Sequence, residues 1–350
     1  MREVNSILLI EQYGLGDGVL STPALELLRR DFPQARRVSL ASPVVAELRQ
    51  GCPLVTGVTT DLPVAQSFDL AVDLTGKLRT ARLARRSGAP VRVGTAWWPS
   101  RRWAGRLYTA QVPRPEGGHV LEHKLEVARA AALACGLLPS PMPVDQRPQV
   151  WISDAEREFA QTWLTERGLL AENCLVGMHT GGASRGRSWR ARRFAQVCRE
   201  LRSRYGADVL MVGGSEDLPG ALEIARQASG DPWVVAGQTT VGQLAALLSR
   251  CQLFIGGDSG PLHLAAAVGL PAVAIFGRSD PAWSGPWGEG HEIVRVELEC
   301  SPCRGMPHSK WWRRCRRYRC LDLISVEHVL QATSRLLNAV GERQAVAGSR

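Results

Sequence analysis

Short apolar runs alternate with amphipathic stretches through the first half of the chain. The runs predict buried strands, and an apolar residue at every third or fourth position predicts helices. The strands fall at residues 7–10, 38–41, 70–74 and 91–94, and the helices at 17–30, 43–51, 77–86 and 119–135. The first helix starts at either Asp17 or the Ser21-Thr22-Pro23 cap signal. Strands that alternate with helices predict a parallel sheet covered by helices on both faces.

The second half repeats this alternation after a proline-rich linker at 139–148. Strands are predicted at 175–179, 208–212, 234–235, 253–255 and 272–276, and helices at 153–167, 192–204, 217–228 and 241–250. At 350 residues the chain exceeds the size of one ordinary core. We therefore predict Rossmann-like domains at 1–150 and 151–324, a helix at 325–340 that crosses back to the first domain, and a disordered tail at 341–350.

A glycine-rich stretch, residues 253–277, is predicted to form a strand, a tight loop, a short helix and a second strand. Gly256 and Gly257 allow a sharp turn, and Asp258 or Ser259 is a suitable N-cap. Free N–H groups at such a helix start attract an anion, to which His263 would add a donor. In isolation, the sequence Gly-Gly-Asp-Ser-Gly would be better explained as an ordinary helix start with a capping Asp and a surface His.

The segment Gly14-Leu-Gly-Asp-Gly18 follows the first predicted strand and suggests a dinucleotide site. The third glycine of that pattern is replaced by Val19, and no acidic residue ends the second strand, so we reject an NAD site. We therefore interpret the segment as a tight turn that presents the Asp17 side chain. A carboxylate there can take the proton from an attacking hydroxyl, although an N-cap aspartate would give the same sequence.

Four segments together resemble glycosyltransferase family 9, the bacterial ADP-heptose:lipopolysaccharide heptosyltransferases. They are Ile-Leu-Leu-Ile with Gly-Leu-Gly-Asp-Gly-Val-Leu-Ser-Thr-Pro-Ala-Leu (7–10 and 14–25), Gly-Met-His-Thr-Gly-Gly-Ala-Ser with Arg-Ser-Trp (177–184 and 187–189), Met-Val-Gly-Gly-Ser-Glu-Asp (211–217), and Gly-Gly-Asp-Ser-Gly-Pro-Leu-His-Leu-Ala-Ala-Ala with Gly-Leu-Pro (256–267 and 269–271). The resemblance implies the GT-B fold, two Rossmann-like domains whose parallel sheets face a central cleft. It also implies inverting sugar transfer with Asp17 as the general base.

The resemblance places the nucleotide sugar on the second domain. The donor-binding candidates are Thr180, Gly181, Ser184, Arg187, Glu216, Asp258, Ser259, Gly260 and His263. Arg187 stands where the family often has lysine, and Glu216 matches a position that holds sugar hydroxyls, although it could instead cap the next helix. The chain has no Asp-x-Asp metal motif. Helix N-termini and arginines would then stabilise the leaving diphosphate, and no cofactor would be required. Trp189 is more typical of core packing than of donor binding.

Four of the nine cysteines cluster, at Cys300, Cys303, Cys315 and Cys320. Their spacing would suit a structural zinc, with His308 as a spare ligand, although the second pair lacks the two-residue spacing of a zinc ribbon. We favour reduced thiols and keep zinc as the alternative. The other five cysteines are most simply small core residues.

The net charge of +10 and pI near 9.6 predict an anionic partner. The basic and aromatic stretch 304–319 suits an anionic inner-membrane surface, where lipid-linked acceptors reside, or a phosphorylated glycan. Candidates on the acceptor side are Gly16, Lys77, Arg101 and Arg102. No apolar segment is long enough to span a bilayer or to form a signal peptide, so we expect a cytoplasmic protein, peripheral on the inner face of the membrane.

These features favour a transferase that moves heptose from ADP-heptose to a lipopolysaccharide-core or related glycan. An epimerase or hydrolase of sugar nucleotides on the same fold is the first alternative. Both enzymes lack a separate acceptor, so the products formed from the donor alone would distinguish them from a transferase. A nucleic-acid-binding protein is the second, suggested by the charge. It would leave the glycine-rich loops without a role, so no nucleic-acid partner is expected.

Overall fold

The computed structural model describes residues 3–62, 67–95, 101–113, 116–142, 145–169, 174–181, 188–228, 232–303, 315 and 318–348, without the side chains of 101–102 and 340–348. The chain divides into two compact units, Met1–Trp151 and Ile152–Arg350. Ser184 and Arg187, and most of the basic stretch 304–319, lie outside the described residues. No helix in the described ranges is both long and apolar enough to cross a membrane.

The first unit contains a parallel six-stranded sheet in the order β3-β2-β1-β4-β5-β6. Its strands are β1 (Ser6–Glu11), β2 (Arg36–Ala41), β3 (Gly57–Thr59), β4 (Leu70–Asp73), β5 (Val91–Gly94) and β6 (Ala110–Gln111). Its helices are α1 (Leu15–Val19), α2 (Thr22–Asp31), α3 (Pro43–Leu48), α4 (Leu78–Arg86), α5 (Arg101–Ala104) and α6 (Val120–Ala134). The continuous apolar run of β1 is buried, as expected for a central parallel strand covered on both faces.

The second unit repeats this arrangement in the order β12-β11-β10-β7-β8-β9. Its strands are β7 (Leu175–His179), β8 (Asp208–Met211), β9 (Trp233–Val234), β10 (Leu253–Gly257), β11 (Ala272–Ile275) and β12 (His291–Val294). Its helices are α7 (Asp154–Thr165), α8 (Ala191–Tyr205), α9 (Leu218–Ala228), α10 (Val241–Leu248), α11 (Gly260–Ala267), α12 (Pro281–Ser284), α13 (Arg319–Asp322) and α14 (Val326–Gly348). The predicted α/β class with two parallel sheets is confirmed.

The strand order of each sheet reverses once, between β1 and β4 in the first unit and between β10 and β7 in the second. At such a switch point the loops that leave the two central strands diverge to opposite faces of the sheet, which opens a crevice at the carboxyl ends of those strands. Asp17 follows β1, and the segment 258–263 follows β10. Both glycine-rich motifs therefore lie at the position in their own unit where ligands of doubly wound sheets bind.

Several boundaries differ from the prediction. The first helix is two helices: Ser21 is the N-cap of α2, and Asp17 lies in the short α1. Gly256 and Gly257 are the last two residues of β10 and do not belong to the loop. A buried strand accepts glycine where a neighbouring group approaches its backbone closely. The terminal helix α14 continues to Gly348 through the segment predicted to be disordered, whose Glu342-Arg343-Gln344-Ala345 consists of good helix formers.

Helix α14 packs against α8 and against strands β10, β11 and β12, all within the second unit. Its Thr333 is fully buried, and the Thr333 hydroxyl donates to the Val329 carbonyl at 2.9 Å. The predicted return of this helix to the first unit stays a prediction. Trp189 is buried, its Nε1 donates to the Ile324 carbonyl at 3.1 Å and its ring meets Phe194 edge to face, so its predicted core role is confirmed.

Candidate active site

The loop after β1 places Asp17 on the surface of the first unit. Gly14 caps α1 in an extended conformation, and the Asp17 side chain is 49% exposed. Gly18 explains why this helix lies so close to α3: a Cβ there would meet Val45 Cγ2 at 2.9 Å and Leu48 Cδ2 at 3.1 Å. Gly16, a predicted acceptor-side residue, is buried within α1. The Asp17 carboxylate is thus exposed on a helix whose glycine face is packed.

A buried ion pair lies beneath this helix. Arg49 Nη2 is 2.6 Å from Glu11 Oε1, and both side chains are fully buried. Glu11 also accepts hydrogen bonds from the hydroxyls of Tyr13, Ser21 and Ser39 at 2.7–2.9 Å. Burial opposes ionisation of Glu11, but Arg49 and these hydroxyls outweigh it and lower its pKa to about 2. Arg49 Nη2 donates to the Gly18 carbonyl at 2.8 Å as well, so the pair fixes the turn that carries Asp17.

Lys124 on α6 is a site residue that the sequence analysis missed. It is only 3% exposed, and its Nζ lies 3.5 Å from Asp17 Oδ1 and 3.4 Å from the Leu74 carbonyl oxygen. The ammonium also lies 4.1 Å from the centre of the Tyr13 ring. Burial lowers the pKa of Lys124, and the Asp17 and Glu11 carboxylates offset part of that effect. A lysine on the apolar face of a predicted helix was the signal that could have identified it.

The remaining acceptor-side candidates lie on a basic surface. Lys77 is exposed and precedes α4, whereas the side chains of Arg101 and Arg102 are not described. The exposed face of α4 carries four arginines, and α4 contacts α5, which carries the 67%-exposed Trp103. We call this the α4 basic face, formed by Lys77, Arg79, Arg82, Arg85, Arg86 and Trp103. From 74 to 115 the sequence has ten basic residues and no acidic one.

In the second unit, the segment after β10 forms the start of α11. Ser259 is the N-cap, Gly260 begins the helix, and Asp258 and His263 are buried. Gly256 faces the neighbouring strand so closely that a Cβ would meet the His179 carbonyl oxygen at 3.0 Å and Phe254 Cε1 at 2.8 Å. The start of this helix offers backbone N–H groups at the end of a buried strand, an arrangement that suits an anion.

The end of β7 contributes a second missed residue, His179. Its Nε2 lies 3.1 Å from Asp217 Oδ2, and its Nδ1 accepts a hydrogen bond from the Gly181 backbone N–H at 3.1 Å. Burial opposes ionisation of Asp217, but His179 outweighs it and lowers the pKa of Asp217. The Gly214 N–H also donates to Asp217 Oδ2, at 2.9 Å. The imidazole therefore links the loop that contains Thr180 and Gly181 to the loop after β8.

Glu216 does not take part in this link. Its side chain is exposed, whereas the adjacent Asp217 is partly buried against His179. Because Gly256 of β10 pairs with His179 of β7, six of the predicted donor residues lie at one edge of one sheet: Thr180, Gly181, Asp258, Ser259, Gly260 and His263. Glu216 lies beyond the next strand, β8, and its predicted contact with the donor stays a prediction.

All nine cysteines are free thiols. Burial raises the pKa of Cys303, and Cys300 and Cys315 raise it further. Burial also raises the pKa of Cys320, to about 11. Within the described ranges no three His, Cys, Asp or Glu side chains are arranged to hold a metal, and His308 lies outside those ranges. The reduced thiols and the zinc alternative both stay predictions.

Comparison with known proteins agrees with the residue-level interpretation. The family model described as glycosyltransferase family 9 (heptosyltransferase) matches residues 64–311. Lipopolysaccharide heptosyltransferase 3 of Escherichia coli is 27% identical, over 92% of this chain and 96% of its own.

Two solved structures share the fold. The family 9 glycosyl transferase of Veillonella parvula DSM 2008 has a TM-score of 0.82 at 23% identity, covering 97% of this chain and 99% of its own. The E. coli ADP-heptose lps heptosyltransferase II has a TM-score of 0.74 at 21% identity, covering 95% and 99%. The fold is thus maintained over nearly the whole chain at low sequence identity.

Proposed function

Because the chain belongs to glycosyltransferase family 9, we propose that it transfers heptose from ADP-heptose, with inversion, to a lipopolysaccharide-core or related glycan. Two of the proteins named above are lipopolysaccharide heptosyltransferases of E. coli, and one of these is named for ADP-heptose. The observation that carries the proposal is the edge of the second sheet. There the start of α11, whose first backbone N–H groups have no partner within the helix, lies next to the end of β7, from which Thr180 and Gly181 follow.

The second unit would bind the donor. Amide dipoles at the start of α11 and in the loop from Thr180 would stabilise the negative charge that develops on the departing diphosphate. The chain has no Asp-x-Asp motif to bind a divalent ion, so we propose that these groups and arginines suffice. Transfer that is unchanged in excess EDTA supports this part of the proposal, and activity restored only by Mg²⁺ or Mn²⁺ after EDTA contradicts it.

Asp17 would act as the general base. An acceptor hydroxyl oxygen attacks the anomeric carbon while the bond from that carbon to the diphosphate oxygen breaks, and the hydroxyl proton passes to the Asp17 carboxylate. The diphosphate leaves with the bonding electron pair, and attack from the opposite face inverts the anomeric configuration. Half of the Asp17 side chain is exposed, so its carboxylate is accessible to an acceptor.

Asp17→Asn tests this role, because it keeps the shape and removes the base. We expect transfer to fall about 10²- to 10⁴-fold, the usual contribution of a general base, with little change in ADP-heptose binding measured by calorimetry. Asp61→Asn, an exposed aspartate of the same unit, is the control and should keep full activity. Undiminished turnover by Asp17→Asn removes Asp17 from the mechanism. Release of free heptose or an isomerised donor without acceptor would instead indicate a hydrolase or an epimerase.

The proposal includes peripheral binding to the cytoplasmic face of a membrane, where lipid-linked acceptors reside. The α4 basic face combines arginines with an exposed tryptophan, a combination that suits an anionic bilayer interface. In this interpretation the stretch 304–319 adds charge to the same partner. Each arginine near such a surface contributes about 1 kcal/mol, so removing two weakens binding about 30-fold.

Sedimentation with vesicles of phosphatidylglycerol and phosphatidylethanolamine tests the surface. We expect Arg82→Gln/Arg85→Gln to release the protein, and Arg29→Gln/Arg30→Gln, which removes two arginines paired with Glu26, to remain bound. Equal binding of both variants would exclude the α4 basic face as the contact.

A further inference from the structure

Lys124 occupies an unusual environment for a lysine. Its neighbours on the same face of α6, Leu121, Leu125 and Ala128, are fully buried, and Lys124 itself is 3% exposed. Lysine is almost never this buried unless its charge is paired. The side chain has no access to solvent with which to bind a substrate directly, so its role must act through the groups that it contacts.

Three chain segments meet at the Lys124 ammonium. Its Nζ lies 3.4 Å from the carbonyl oxygen of Leu74, which follows β4, and 4.1 Å from the centre of the Tyr13 ring, which follows β1. Its third contact is Asp17 Oδ1 at 3.5 Å. The carbonyl and the ring are neutral and hold the ammonium in place, which leaves the carboxylate as the partner that balances its charge.

Other charges near Lys124 compensate one another. The two that act on it besides Asp17 are Glu11 and Arg49, which form a buried ion pair and so contribute little net charge. Its own helix carries Glu122, His123, Glu126 and Arg129, with His119 as the N-cap. Among the described residues, Asp17 is the carboxylate within ion-pair distance of Lys124.

We propose that Lys124 is a positioning residue for the general base: its buried ammonium engages one oxygen of Asp17 and directs the other oxygen to the acceptor hydroxyl. This inference rests on the proposed function of Asp17. Tyr13 and Leu74, which contact Lys124, follow β1 and β4. The proposed contact between Lys124 and Asp17 therefore lies at the switch point between these two strands. An ammonium held between a ring and a carbonyl cannot follow the carboxylate outward, so Asp17 keeps one orientation.

Lys124→Met tests the inference, because methionine has a similar length without the charge. We expect kcat for transfer from ADP-heptose to a truncated lipopolysaccharide-core glycan to fall about 10- to 100-fold with KM for ADP-heptose unchanged. Lys124→Arg, which keeps the positive charge, should recover most of the lost kcat. Arg129→Met, which removes a charge from the same helix, should behave as the unmodified protein.

The Asp17→Asn background separates this inference from the proposed function. If Lys124 acts through Asp17, then Lys124→Met changes the residual rate of Asp17→Asn by less than about 2-fold. An inactive Asp17→Asn with a fully active Lys124→Met overturns only the Lys124 inference. A fully active Asp17→Asn overturns the role of the base itself. Should Lys124→Met fail to fold, Lys124→Gln, which keeps a donor for the Leu74 carbonyl, is judged by kcat, by KM for ADP-heptose and by its effect in the Asp17→Asn background.

Discussion

The Glu11–Arg49 pair makes a quantitative prediction about the first unit. Glu11→Gln keeps the size of the side chain and leaves the Arg49 guanidinium, which is 1% exposed, without a counter-charge. A pKa of about 2 in place of the ordinary 4.5 corresponds to about 3 kcal/mol of stability at neutral pH. Removal of one partner of a buried ion pair costs about 3–5 kcal/mol in other proteins. The two values agree, so we expect a loss of about 3–4 kcal/mol.

The measurement needs a probe of the first unit alone, because two compact units need not unfold together. Hydrogen exchange of peptides from β1 and β2, read by mass spectrometry, gives the opening free energy of this sheet. Calorimetry of the same samples should show the transition of a unit of this size lowered by about 6–16 °C. Glu26→Gln is the matched control, since Glu26 pairs with Arg29 and Arg30 on the surface of α2 and should cost at most about 1 kcal/mol.

The pH dependence has a definite sign. The pKa of Glu11 is lower in the folded protein than in the unfolded chain, so its contribution is complete above about pH 4.5 and is lost as the pH falls toward 2. The difference in stability between the unmodified protein and Glu11→Gln should therefore shrink across that interval. If Glu11→Gln costs no more than Glu26→Gln at pH 7, or if the difference stays constant down to pH 2.5, the buried pair does not stabilise this unit and the reasoning fails.

Three further outcomes are expected. Gly256→Ala should weaken ADP-heptose binding and lower the stability of the second unit, because the added Cβ meets the His179 carbonyl. Gly220→Ala on α9 is the control: the nearest contact of its Cβ is Thr180 Oγ1 at 3.9 Å, so thermal melts should show the unit stabilised by about 0.5–1 kcal/mol. His179→Phe should raise the Kd for ADP-heptose in calorimetry with the far-UV circular dichroism unchanged, because the link between its two loops is lost. Ellman's reagent should modify exposed Cys300 in the native protein and reach Cys251, whose pKa burial raises to about 12, only after unfolding; equal rates would contradict both assignments.

The central strands and motifs could be predicted from the sequence because each depends on a local pattern. Residues 7–10 and 253–255 are continuous apolar runs, and the glycines that follow them are turn signals. The edge strands β3, β6 and β12 were missed, since two to four residues with partial burial carry too little pattern to detect. Of the four edge strands, only β9 (Trp233–Val234) was predicted, at 234–235.

The side-chain pairs at the site could not be predicted, because each depends on strand order. Lys124 reaches Asp17 across 107 positions, and Arg49 reaches Glu11 across 38. These contacts exist only because β1 lies between β2 and β4 in the sheet. The contact of Asp217 with His179 could likewise not be predicted, since the adjacent carboxylates Glu216 and Asp217 differ only in the direction that the backbone gives them.

The segment from 74 to 115 concentrates positive charge in one part of the sequence. Its ten basic residues equal the formal net charge of +10, so the other 308 residues sum to zero. The electric field of an anionic surface orients a molecule charged in this way before contact, and this orientation weakens as added salt screens the field. Adsorption to a flat anionic support should therefore be oriented at low ionic strength and random at high ionic strength.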